Sequence, residues 1–110
     1  MANYLLIESR DTFEYGDAGY LYGLASNLAK SGNEVTFFLV QNGVLMARPG
    51  VASSPMPDLV KNNKVQVLAD EFGLRERGIP ADGLAPGVAV SNVDSLVDLL
   101  ATDGVKAVWH

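Results

Sequence analysis

The sequence predicts an α/β domain of three layers, α/β/α, built on a mainly parallel five-stranded sheet of the flavodoxin-like class. Three observations carry this. Five short apolar runs recur along the chain. Segments with helical periodicity or capping residues alternate with them. Consecutive parallel strands need such crossovers, because a tight turn cannot return the chain in the same direction. At 110 residues the chain suits a single domain spanning residues 1–110.

Tyr4-Leu5-Leu6-Ile7 is a continuous apolar run, as expected of a strand covered on both faces. It exits through Glu8-Ser9-Arg10-Asp11. Leu21, Leu24, Ala25 and Leu28 then fall at i, i+3, i+4 and i+7, which predicts a helix. Asp17 stands at its expected start, and Lys30 and Gly32 at its end. The second strand, Glu34 to Val40, is β-branched and aromatic and leaves through Gln41-Asn42-Gly43. Asn-Gly tolerates positive φ, which predicts a turn into a helix here. Residues 47–57 hold three prolines and small side chains and predict a loop, followed by a short helix from Asp58 to about Asn62. Lys64 to Ala69 is the third strand. Asp70 to Arg77 reads as a short helix with Asp70 at its N-cap, ended by Gly78. After a Gly- and Pro-rich loop, Val88-Ala89-Val90 is the fourth strand. Ser91 or Asn92 caps a last helix with Val93, Leu96, Val97 and Leu100 as its stripe, and Val105 to Trp109 is the fifth strand.

Composition narrows the function. Apolar residues make up 48% and charged residues 19%, an ordinary globular balance. A net charge of −5 and a pI near 4.6 disfavour nucleic acid as the main partner, since few cations are available to displace phosphate counterions. No segment is long and apolar enough to span a membrane, and the N-terminal residues lack the pattern of a signal peptide, so the expected location is cytoplasmic. The chain contains no cysteine, which removes disulfides, thiolate metal sites and a thiol nucleophile. One histidine is no metal signature, and no dinucleotide or Walker glycine pattern occurs, so no metal and no cofactor are expected.

The succession of an opening strand, a Gly-Tyr-Leu-Tyr-Gly-Leu-Ala helix, Val-Thr-Phe-Phe-Leu-Val-Gln-Asn-Gly-Val, and Val-Gln-Val-Leu-Ala-Asp running to Arg-Glu-Arg-Gly-Ile resembles the DsrE/DsrF-like family. That family includes DsrE, DsrF, DsrH and TusB, TusC and TusD, the sulfur-relay proteins. The resemblance covers essentially the whole chain. It implies a three-layer domain that assembles into trimers or hexamers and meets protein partners of the sulfur-relay type. It also implies a persulfide-accepting cysteine after the third strand. Counting back from Arg77-Gly78, the matching position is Asp70. A carboxylate cannot take up a persulfide, so this chemistry is not carried over. Some family subunits lack the cysteine and serve as structural partners.

In an open parallel sheet, ligands bind at the carboxyl edge of the strands. The candidate binding residues at that edge are Arg10, Asn42, Gly43, Asp70, Glu71, Arg77 and Asn92, with Asp70 the candidate for acid or base catalysis. Each has a structural alternative. Asp70, Glu71 and Asn92 suit helix starts, Asn42-Gly43 suits a turn, and Arg75 at i+4 from Glu71 suits a helix-surface ion pair. His110, the last residue, is expected to fray. Phe13, Tyr15 and Met46 are candidates for an aromatic-rich oligomer face. Two functions follow: a DsrE-like binding or scaffolding subunit without sulfur transfer, or an enzyme or small-molecule binder working around Asp70. A flavodoxin-like flavin site is a third reading, which a colourless preparation indifferent to added flavin would end.

Overall fold

The computed structural model describes residues 2–13 and 19–110. Five strands, β1 (Asn3–Glu8), β2 (Glu34–Leu39), β3 (Val65–Asp70), β4 (Val88–Ser91) and β5 (Val105–Trp109), form one sheet in the order β4-β3-β2-β1-β5. Every neighbouring pair is parallel. Four α-helices, α1 (Gly19–Lys30), α2 (Met56–Val60), α3 (Glu71–Glu76) and α4 (Val93–Ala101), connect them, with a 3-10 helix at Gln41–Ala47. The chain lays β1 to β4 outward in sequence and then returns across the sheet through α4 to place β5 on the far side of β1. Among the described residues that reversal leaves α4 as the one helix packed on the second face, since right-handed crossovers in opposite directions lie on opposite faces.

Strand alternation divides the core accordingly. Leu6, Val35, Phe37, Leu39, Val67 and Ala69 face α1, the 3-10 helix, α2 and Leu74 of α3 in one large cluster. Tyr22 of α1 packs on Phe37 there, with ring centroids 4.6 Å apart. Leu5, Ile7 and Phe38 face the other way, where Leu96 and Leu99 of α4 cover them. One nine-residue helix cannot cover five strands. Val93, Val97 and Leu100 of α4 are therefore about half exposed, at 52%, 54% and 49%. The expected apolar stripe of this helix is only partly buried: Leu96 and Leu99 hold the contact with the sheet.

Other elements depart from expectation in detail. The short helix before β3 spans Met56–Val60, with Pro57 in its first turn. The positive φ at the exit of β2 belongs to Gln41 (φ 51°), while Asn42 and Gly43 lie in the 3-10 turn. Gly43 is required for another reason: a Cβ there would run into the carbonyl oxygen of Glu8 at the end of β1. Met46 is fully buried in the first cluster, so it is not a surface residue, whereas Phe13 is exposed beneath the Arg48 guanidinium. Tyr15 and Asp17 lie outside the described residues. No helix among the described residues is long and apolar enough to cross a membrane.

Candidate functional site

All five strands end on one edge, and the two faces of that edge carry different chemistry. On the α4 face lies a cavity of about 480 Å³, within the range of small-molecule pockets. Ile7, Ala107 and Trp109 supply its floor from β1 and β5, and Leu96 and Leu100 of α4 with Phe72 of α3 contribute apolar walls. The polar lining comes from Gln41, Asp70, Glu76 and Arg77.

Asp70 enters this cavity as the last residue of β3 and the N-cap of α3. Its Oδ2 accepts a hydrogen bond from the Gly73 amide at 3.1 Å, which satisfies one of the free donors at the helix start. Asp70 is only 5% exposed, and its Oδ1 has no hydrogen-bond partner among the described residues. Asp70→Ala is expected to cost about 1 kcal/mol for the lost cap, read by urea unfolding, and Asp70→Asn a few tenths, since an amide oxygen also caps. Loss of most of the stability in the asparagine variant would contradict this capping role.

Glu71 follows Asp70 as the first residue of α3. It is exposed and shares with Asp70, Asn92 and Asp94 a second, shallower depression of about 190 Å³. Asn92 is the N-cap of α4, its Oδ1 accepting from the Ser95 amide at 2.9 Å. Asn42 and Arg77 are brought together. The guanidinium donates from Nε and Nη2 to Asn42 Oδ1 at 3.1 and 3.0 Å and from Nη1 to the Gly73 carbonyl at 3.2 Å. These bonds tie α3 to the 3-10 helix and hold Arg77 in the cavity wall. Arg75 lies over the Phe72 ring at 5.9 Å instead of pairing with Glu71. Arg10 is exposed beyond the end of β1 and lines none of these hollows.

On the α1 face of the same edge stands a cluster that sequence reasoning missed. Glu8 is fully buried. His110 Nδ1 lies 3.0 and 2.9 Å from its Oε1 and Oε2, within hydrogen-bond reach of both carboxyl oxygens. His110 does not fray: its amide donates to the Ile7 carbonyl at 2.9 Å, and its carbonyl accepts from the Ser9 amide and hydroxyl at 2.9 and 3.0 Å. Burial pushes the Glu8 carboxyl above its usual range, although the His110 hydrogen bond and charge and the Arg10 and Ser9 amides pull the other way. The Tyr22 hydroxyl is buried without a hydrogen-bond partner among the described residues, and burial together with the Glu8 charge raises its pKa far above the ordinary phenol value. The period-2 alternation of β1 carried the missing signal, since it sets Glu8 on the same face as Leu6. Among the described residues no three His, Asp or Glu side chains converge to hold a metal ion.

No protein-family model and no curated protein matches the sequence. Solved structures do. MTH1491 from Methanobacterium thermoautotrophicum, a protein of unknown function, superposes with a TM-score of 0.83 at 21% identity over the whole of both chains. The ychN protein from E. coli superposes with a TM-score of 0.77 at 19% identity, over 98% of this chain and all of its own. The chain therefore shares the small parallel α/β fold of these two proteins.

Proposed function

We propose that the chain is a cytoplasmic, DsrE-like binding or scaffolding subunit that assembles with copies of itself and does not carry sulfur as a persulfide. One observation carries the reading. Asp70 occupies the position to which the family resemblance assigns the sulfur-accepting cysteine, and one of its oxygens is engaged in capping α3. A carboxylate in that place can accept hydrogen bonds but cannot form or attack an S–S bond. Self-association is supported by Val90, Val97 and Val108, which are exposed and lie outside the cavity lining, and by the unpaired edges of β4 and β5.

Light scattering over a range of concentrations is expected to give a constant mass of three or six times 11.7 kDa. A monomer throughout would remove the self-assembling part of the proposal. Incubation with a persulfide donor, followed by detection of protein-bound sulfane sulfur, is expected to give none. Uptake and transfer onward would overturn the rest. A second reading, a small-molecule site around Asp70, is favoured by the apolar cavity into which that residue faces.

A further inference from the structure

We propose that the cavity between α3 and α4 binds an amphiphilic monoamine: an apolar body of aromatic or branched-aliphatic type bearing one protonated amino group, held by Asp70. This rests on the reading of the protein as a binding subunit with a site at Asp70, and on nothing about sulfur.

The size and walls set the body of the ligand. A volume of about 480 Å³ suits a small organic molecule and exceeds the need of an inorganic ion. Ile7, Leu96, Leu100, Phe72 and Trp109 would enclose an apolar group. Two aromatic rings among these walls favour a flat or cationic guest.

Asp70 sets the polar end. Its Oδ1 is buried and accepts nothing among the described residues, while Oδ2 is already occupied by the Gly73 amide. A buried acceptor without a donor is costly, and a ligand that supplies one recovers that cost on binding. The donor is better charged than neutral, because charge-assisted hydrogen bonds are the stronger class. The remaining charges agree. The one cation in the lining, Arg77, is spent on Asn42 and the Gly73 carbonyl, with Glu76 Oε1 4.0 Å from its Nη1. Asp70 and Glu76 thus outnumber Arg77 among the charged groups of the lining. A ligand carboxylate would meet that surplus unfavourably. Monoamine in place of diamine follows from the setting: among the described residues Asp70 holds the one buried side-chain acceptor left open in the lining, and most of the remaining wall is apolar.

Three probes of nearly equal shape test this on the purified full chain: 2-phenylethylamine, 2-phenylethanol and 3-phenylpropionate. Trp109, the sole tryptophan, lines the cavity and reports by its fluorescence, with calorimetry as a second readout. The amine is expected to bind at least tenfold more tightly than the alcohol, and the carboxylate most weakly. In Asp70→Asn the amide keeps an oxygen for the α3 cap but turns the other position into a donor. That variant should lose at least tenfold in amine affinity, with the alcohol nearly unaffected and the thermal midpoint little changed. Equal binding of amine and alcohol, or preference for the carboxylate, overturns the proposal, and the parent protein decides this even if the variant misfolds. Amine binding that weakens as the scattering mass grows would also overturn it, by giving the cavity to a second copy. None of these outcomes bears on sulfur transfer, so the two proposals fail separately.

Discussion

Replacing His110 with alanine is expected to lower the unfolding free energy by about 3 kcal/mol at neutral pH, a large effect for one side chain. The reason is Glu8. Its carboxyl is completely buried and rests on His110 Nδ1 through both oxygens. Removing the imidazole leaves the carboxyl with backbone amides alone, and desolvation then acts unopposed by a side-chain partner. For a domain of this size, about 3 kcal/mol corresponds to a fall of roughly 10–20 °C in the thermal midpoint.

The pH dependence separates this from generic loss of packing. In the folded protein Glu8 holds its proton more tightly than its ordinary value of 4.5. The folded state therefore binds more protons than the unfolded chain above that value. Its contribution is fully present at lower pH and is lost as the pH rises through the raised folded value. Glu8→Gln, which cannot ionise, should abolish this decline. The penalty of His110→Ala should shrink as the pH is lowered toward 4.5, where a neutral carboxyl tolerates burial better. Urea unfolding of the parent and both variants between pH 4.5 and 8 checks each point. A penalty for His110→Ala that does not change with pH would mean that the histidine acts by packing alone.

Gly43→Ala is expected to be comparably severe, about 3 kcal/mol or more, or to prevent folding. The added methyl meets the Glu8 carbonyl oxygen, a backbone atom that accepts the Val40 amide at 3.0 Å. Neither partner can turn aside without disturbing the junction of β1 with the 3-10 helix. Gly73→Ala is the matched control. Its nearest obstacle is the Val44 side chain at 3.2 Å, which can give slightly, and alanine gains about 1 kcal/mol of helix propensity in α3. That variant should stay within about 1 kcal/mol of the parent. Thermal unfolding of the two side by side distinguishes a steric demand at one glycine from a general intolerance of alanine. Equal effects would refute the close approach of Gly43 to β1.

These residues also show where sequence reasoning reaches and where it stops. The alternation of apolar runs with helical segments is a local property, written in neighbours a few positions apart, and it was enough for the parallel α/β class. The caps were legible for the same reason. Asp70 and Asn92 accept hydrogen bonds from amides three residues on, so their task is visible without knowing the rest of the fold. The absence of cysteine, on which the proposal of a subunit without persulfide chemistry draws, is likewise a matter of composition alone.

What the tertiary structure decided concerns residues distant in the chain. Strand order is one such property: β5 pairs with β1 across more than a hundred positions, and that pairing seats His110 on Glu8 instead of leaving it to fray. Face is another. The carboxyl edge looks continuous in sequence, yet the pleat sends Glu8 toward α1 and Asp70 toward α4, into separate environments. Asn42 and Arg77 meet only because α3 docks on the 3-10 helix. The partial exposure of α4 follows from the reversal in strand order, which among the described residues leaves this one helix to cover its side of the sheet. Local hydrogen bonds and periodicity are encoded residue by residue. Burial, pairing across strands and the shape of a cavity arise from the packing of elements that the chain separates widely, and only the folded molecule brings them together.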